Sequence, residues 1–348
     1  MKNYDVKSMT FTELSAQLAA LSLPSFRAKQ LFGWLQQKAA MDYGEMTNLP
    51  ASLRAQLAQD LPIYGCRTIK KQVSVLDGTV KYLFALHDGT AVEAVLMRYK
   101  YGYTLCVSSQ AGCKMGCTFC ASARGGFVRD LAPSEILGQI HAAQREEGIR
   151  VSHVVLMGMG EPLDNYDNVL RFLTLVSDDA GLNIGMRNIS LSTCGIVPRI
   201  YDLMAQKLQL TLSVSLHAPN DEIRSRSMPI NRRYPLDALL SACRDYAKTT
   251  SRRISFEYAM LQGVNDAPAH AAQLADRLRG MLCHVNLIPV NPITAQDAQP
   301  TPRAEIERFA FELQRRGIPA TIRRTLGPDI DAACGQLRLH TETKEVFP

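Results

Sequence analysis

Three features of the sequence predict an α/β fold built on a parallel sheet. Apolar runs suited to strands recur at Thr104–Ser108, His153–Met159, Ile189–Thr193, Leu210–Leu216, Ile254–Met260, Val285–Val290 and Ala320–Arg323. Helix-patterned stretches, among them Ser134–Glu147, Leu236–Tyr246 and Arg303–Arg316, lie between them. A strand and a helix repeating every roughly 25–45 residues call for crossover connections, hence parallel strands, either doubly wound or wrapped into a full or partial barrel. In either arrangement catalytic groups gather at the C-terminal ends of the strands.

Two regions precede the repeats. Residues 1–62 read as helices. Thr10 and Glu13 form a capping-box pattern ahead of Leu14, Leu18 and Leu21. Pro24 ends that helix, Ser25 is the expected cap of a second carrying Phe26, Leu31, Phe32 and Leu35, and Asn48-Leu49-Pro50 opens a third. Residues 63–100 read as a β-meander, in which Asp77-Gly78 and Asp88-Gly89 make tight turns beside the β-rich runs Val80–Leu86 and Ala91–Met97. The repeats fill 101–327, and 328–348 form a tail.

With 348 residues, 46% hydrophobic and 21% charged, the chain can bury a large core, and extended disorder, collagen and coiled coil are excluded. No apolar run approaches the roughly 18 residues of a membrane span, and Met1–Asp5 does not open a signal peptide. The expected setting is cytoplasmic, with no membrane partner. A net charge of +6 permits a polyanionic partner without demanding one. The nine unevenly spaced cysteines point to metal or redox chemistry rather than a disulfide framework.

Directly after the first repeat strand comes Cys113-Lys-Met-Gly-Cys117-Thr-Phe-Cys120. Three soft thiolates in one loop suit iron–sulfur ligation or zinc. A structural zinc site needs a fourth ligand and usually shows a second Cys/His pair, which is not evident here. Three thiolates on a four-iron cluster would leave one iron open to a cofactor or substrate.

CxxxCxxC in this position resembles the radical S-adenosylmethionine (radical SAM) superfamily, and Met157-Gly-Met-Gly160-Glu161-Pro162 resembles its cofactor-binding strand end. Further motifs narrow the resemblance to the RlmN/Cfr family of RNA adenine methyltransferases, over nearly the whole chain. They are Cys106–Cys113, Leu191-Ser192-Thr193, Ser215-Leu216-His217, Val290-Asn291-Pro292, Asp329–Leu337 around Cys334, and Phe26–Leu31 near the start.

The resemblance implies a partial (βα)6-type radical SAM barrel with a small helical N-terminal domain for RNA docking and an intervening β-meander. It implies a [4Fe-4S] cluster on Cys113, Cys117 and Cys120, and S-adenosylmethionine, two per turnover, on Gly160, Glu161, Ser192, Ser215, Leu216, His217 and Asn291. Cys334 would carry the methyl as S-methylcysteine, Glu93 would accept the ring proton, and Cys106 would release the tethered base by a transient disulfide with Cys334. Such equipment suits adenine C2 or C8, each flanked by ring nitrogens and too electron-poor to attack a methyl cation equivalent. The implied partners are 23S rRNA and tRNA and an electron donor such as flavodoxin or ferredoxin, with the protein a monomer.

On their own surroundings, Glu93 and Cys106 read as ordinary strand residues, and Cys66, Cys194, Cys243 and Cys283 read as core. Ala94–Arg129 lacks any acidic residue while carrying Arg98, Lys100, Lys114, Arg124 and Arg129, and Asp221–Arg253 holds eight basic against four acidic residues, including Arg224, Arg226, Arg232 and Arg233. Both are expected RNA contacts. The favoured activity is methylation of adenine C2 in 23S rRNA, at the peptidyl-transferase centre, and in tRNA, 3′ of the anticodon. Cfr-type C8 methylation of the same rRNA adenosine, which gives antibiotic resistance, is the first alternative. A zinc-bearing RNA-binding module without catalysis is the second.

Overall fold

A computed structural model describes residues 5–290, 299–330 and 337. The N-terminal helices form as their sequence directs. Thr10 Oγ1 accepts from the Glu13 amide at 3.3 Å, and the Glu13 carboxylate accepts from the Thr10 amide at 2.8 Å, starting the helix Phe11–Ala20. The same carboxylate takes a bidentate contact from Arg171 on the helix Tyr166–Ser177, so this cap also fastens the N-terminal helices to the repeats. Ser25 precedes the second helix, Phe26–Phe32, without capping it. Its backbone is already helical, which turns the hydroxyl away from the amides it would serve. The third helix, Ala51–Asp60, follows Pro50, and Leu14, Leu18, Leu31, Phe32, Leu35, Leu53 and Leu57 close a core of their own.

The strands are β1 (Arg67–Val73), β2 (Val80–Ala85), β3 (Ala91–Tyr99), β4 (Gly102–Cys106), β5 (Gln110–Gly112), β6 (Phe127–Asp130), β7 (Val151–Leu156), β8 (Ile189–Thr193), β9 (Thr211–Ser215), β10 (Ile254–Met260), β11 (Cys283–Pro289) and β12 (Ala320–Ile322). Among the described residues, ten of them form one sheet in the order β1-β2-β3-β4-β7-β8-β9-β10-β11-β12. β1 to β4 pair antiparallel, and β4 and every later neighbour pair parallel. The predicted meander is therefore the antiparallel wing of the barrel sheet, joined to it through β3 and β4. β5 and β6 form a separate ribbon beside the cysteine loop.

Side chains of one parity pack the flanking helices. Val92, Ala94 and Leu96 on β3, Ile189 and Leu191 on β8, Leu212 and Val214 on β9, and Phe256 and Tyr258 on β10 all join the main core. The opposite parity puts Glu93, Cys106, Ser192, Ser215 and Glu257 on the wall of one interior cavity.

A clasp joins distant parts of the chain. Ser74 Oγ donates to Asp329 at 2.6 Å, the Val75 amide donates to the same carboxylate at 2.9 Å, and the Gly327 amide donates to Asp77 at 2.9 Å. The β1–β2 turn thus grips the segment that leads into the C-terminal tail.

His141, on the helix Pro133–Glu147, is buried against the N-terminal helices with Nε2 3.2 Å from the Gln36 carbonyl. Burial, aided by Lys7, depresses its pKa to about 3 from 6.5. The folded state therefore binds fewer protons than the unfolded chain between those values. The stability His141 contributes is complete above pH 6.5 and is lost as pH falls towards 3, at most about 5 kcal/mol. Thermal melts from pH 7 to 4 are expected to show a falling midpoint, with the fall reduced in His141→Gln.

Candidate active site

The cavity has a volume of about 380 Å³ and opens at the C-terminal ends of the parallel strands. Cys113, Cys117 and Cys120 line it from the loop that follows β5, with Met115 and Phe119 between them. The loop path depends on Gly112, at φ +85°, where a Cβ would stand 1.7 Å from the Gly126 carbonyl oxygen. The loop is also pinned by amide bonds from Cys113 to Gly126 O at 3.1 Å and from Thr118 to Ser227 O at 3.0 Å. Burial pushes the thiols of Cys113 and Cys117 up to about 12. Three partly exposed soft sulfurs in one loop are a donor set that fits a metal cluster.

Opposite the loop, the strand end after β7 carries Gly160 and Glu161. Gly160 has φ +101°, and a Cβ there would stand 2.5 Å from that of Gln110, so the backbone edge can lie bare only as glycine. Glu161 is buried and accepts from the amides of Leu163 at 3.0 Å and Cys194 at 2.7 Å, while burial raises its pKa.

Ser192 and Ser215 line the wall at the ends of β8 and β9. The Leu216 side chain belongs to the main core and its amide donates to the Glu257 carbonyl at 3.0 Å, so Leu216 is not part of the cavity wall. His217 is buried at φ +56°, and its Nδ1 accepts from the Ala259 amide at 2.9 Å. Nδ1 must then be bare and Nε2 carry the proton. Burial first and Arg224 second depress the His217 pKa to about 3, so the ring stays a neutral donor at neutral pH.

The antiparallel wing supplies the remaining wall. Glu93 is 1% exposed, and its Oε2 sits 2.6 Å from Nζ of the fully buried Lys81. Cys106 packs with Val95, Met97 and Leu326. Burial raises its thiol pKa, and Arg323 and Lys81 oppose that shift. The structure thus brings together Cys113, Cys117, Cys120, Gly160, Glu161, Ser192, Ser215, His217, Glu93 and Cys106. Asn291 and Cys334 lie outside the described residues.

Several expectations need correction. Arg224 is fully buried and cannot meet RNA. Its guanidinium donates to the carbonyls of Leu216 (3.1 Å), Cys194 (2.7 Å) and Ser215 (3.1 Å) and to Asn231 (2.9 Å), clamping the ends of β8 and β9 together. Cys194 is buried as expected, and it also lines the cavity. Arg98 and Lys100 do not surround the site, because β3 runs antiparallel and carries them to the end away from Glu93. Arg129 is engaged by Asp88 and Glu135, and Lys114 pairs with Asp164 at 2.9 Å.

Sequence reasoning did not single out Lys81, Glu257, Arg323 or Arg324 in this wall. Glu257 is held by Asn286 at 2.8 Å and Ser255 at 3.0 Å, and burial raises its pKa. The available signal was a charged residue of interior parity within an otherwise apolar strand.

Comparison with known proteins decides the family. Residues 107–275 match the radical SAM superfamily, and residues 4–63 match the ribosomal RNA large subunit methyltransferase N-terminal domain. A probable dual-specificity RNA methyltransferase RlmN from Lachnospira eligens is 51% identical over 96% of this chain and 95% of its own. The chain belongs to the RlmN family. A second relative, the probable dual-specificity RNA methyltransferase RlmN of Desulforamulus reducens, is 49% identical over 98% of this chain and 97% of its own. The crystal structure of a radical SAM methyltransferase from Sphaerobacter thermophilus superposes with a TM-score of 0.92, at 45% identity, covering 96% of this chain and 99% of that one. Membership implies a four-iron cluster and S-adenosylmethionine as cofactors, and the RlmN fold is the partial α/β barrel described above.

In Arg224→Met, three strand-end carbonyls lose a charged donor in a buried setting. A loss of about 3 kcal/mol or more is expected, since each orphaned buried acceptor costs roughly 1–3 kcal/mol. Weaker S-adenosylmethionine binding should accompany it, and chemical denaturation with calorimetric titration checks both.

Proposed function

We propose that this protein methylates adenine C2 in 23S rRNA, at the peptidyl-transferase centre, and in tRNA, 3′ of the anticodon. The observation that carries the reading is one cavity walled on one side by the cysteine loop and on the other by Glu93 and Cys106. A base seated between them would meet radical chemistry from one wall and proton and thiol chemistry from the other.

When bound, the cluster and S-adenosylmethionine supply a carbon radical, which can react at a ring carbon too electron-poor for ordinary methyl transfer. Cys113, Cys117 and Cys120 hold the cluster. Gly160, with its bare backbone edge, and Glu161 meet the cofactor's amino group. Ser192, Ser215 and Asn291 hold the rest, and His217 offers its Nε2 proton as a fixed donor. Cys334 would accept a methyl from S-adenosylmethionine, of which two would be used per turnover, with electrons from a flavodoxin- or ferredoxin-type donor. Glu93 takes the proton from the ring carbon, and Cys106 bonds to the Cys334 sulfur to free the methylated base. The cavity is enclosed by the sheet, so the target base must leave its stack to enter.

The test is mass spectrometry of nucleosides from 23S fragments and tRNA treated with cluster-loaded protein, S-adenosylmethionine and reductant. 2-Methyladenosine is expected. 8-Methyladenosine would move the protein to C8 chemistry, and no methyladenosine from an intact cluster would overturn the reading. Two variants separate the thiol roles. Cys334→Ala should bind the cluster, seen as its brown absorbance, yet transfer no methyl. Cys106→Ala should accumulate a covalent protein–RNA adduct on denaturing gels.

A further inference from the structure

The buried ammonium of Lys81 has no place in the mechanism above, although it lies on the same wall. In the sheet register Lys81 stands opposite Val95, and Val95 stands opposite Cys106, so the three residues form one row across β2, β3 and β4. Glu93 is two residues from Val95 and shares its face. Lys81 Nζ reaches Glu93 Oε2 at 2.6 Å, with both side chains at most 1% exposed.

An ion pair this deep is a poor stabilising device, because desolvating the two charges offsets most of their attraction, and apolar replacements are often neutral or better. Leu83, Val95 and Met97 show that the same face accepts apolar side chains. We propose that Lys81 is a positioning residue for product release, fixing the Glu93 carboxylate on the face of the sheet that also carries Cys106, one strand beyond Val95 in the same row. The proposal rests on the function proposed above.

In release, a Glu93 oxygen takes the proton from the ring carbon, the C–H electron pair returns to the ring, and the one unpaired electron left by radical addition would pass to the iron–sulfur cluster as one-electron acceptor. The Cys106 thiolate then bonds to the Cys334 sulfur as the S–CH2 bond breaks. That bond's electron pair goes to the methylene carbon, which takes a proton and becomes methyl. The two cysteines are oxidised to a disulfide, and the carbon is reduced by the same two electrons. Lys81 supports both events, by orienting the acceptor of the first and by favouring the thiolate of the second. Burial works against that thiolate, while the guanidinium of Arg323 first and the ammonium of Lys81 second work for it.

The experiment compares cluster-loaded wild type, Lys81→Met and Lys81→Arg with RNA and S-adenosylmethionine, following three quantities. These are S-methylation of Cys334 by peptide mass spectrometry, protein–RNA adduct on denaturing gels, and released methyladenosine. In Lys81→Met, Cys334 methylation should stay within about twofold of wild type while release slows on the order of 10²-fold and adduct accumulates, the scale of a lost general-base contribution. Lys81→Arg should recover most of the release rate. A fourth readout needs neither cofactor nor RNA: the rate of Cys106 alkylation, resolved by peptide, should fall several-fold in Lys81→Met as its thiolate fraction falls. Release at the wild-type rate, unchanged Cys106 alkylation, or equal loss of every step in both variants would overturn the proposal. Absence of methyladenosine from wild type would instead overturn the function on which it rests.

Discussion

The whole arrangement depends on a sheet that must satisfy two different surfaces at once. Along each strand, successive side chains point to opposite faces. One face must be continuously apolar to hold the helices, so the residues free to do chemistry are every second one. Ile189 and Leu191 pack the core while Ser192 looks into the cavity, and Leu212 and Val214 do so while Ser215 looks in. Function and packing therefore alternate along the strands and seldom compete for the same position.

The loops after the strands must then hold shapes the strands do not set. Gly112 and Gly160 let the backbone pass where a Cβ would collide. Arg224 contributes from beneath, joining two strand ends whose carbonyls would otherwise face a dry interior without donors. A buried arginine bonded to carbonyls acts here as a fixed spacer rather than as a charge offered to RNA. Arg226, two positions on, is by contrast exposed and shares a surface pair with Glu222.

Much of this was legible in the sequence. All seven repeat strands and the capping box at Thr10 follow from local periodicity and local chemistry, which the sequence displays directly. The spacing of Cys113, Cys117 and Cys120 marked them as one group in a single loop, and all three line the cavity. Lys81, Cys194 and Arg224 were not legible, because each depends on what lies opposite it in three dimensions. Lys81 sits in an ordinary strand pattern, Cys194 looks like any buried thiol, and Arg224 lies in a basic stretch whose other members remain on the surface. Register and burial, rather than composition, distinguish them.

The grip of the β1–β2 turn on Gly327 and Asp329 has a consequence for the thiol that follows. Cys334 stands five positions after Asp329, and an extended chain spans at most about 3.5 Å per residue. Connectivity alone keeps that sulfur within roughly 17 Å of the anchor. A thiol tethered so closely has an effective concentration of millimolar or more towards any group near the anchor, set by the tether rather than by its supply in solution. The four residues Ser74, Val75, Asp77 and Asp329 thereby turn what would be an encounter between distant parts of a long chain into a short local search.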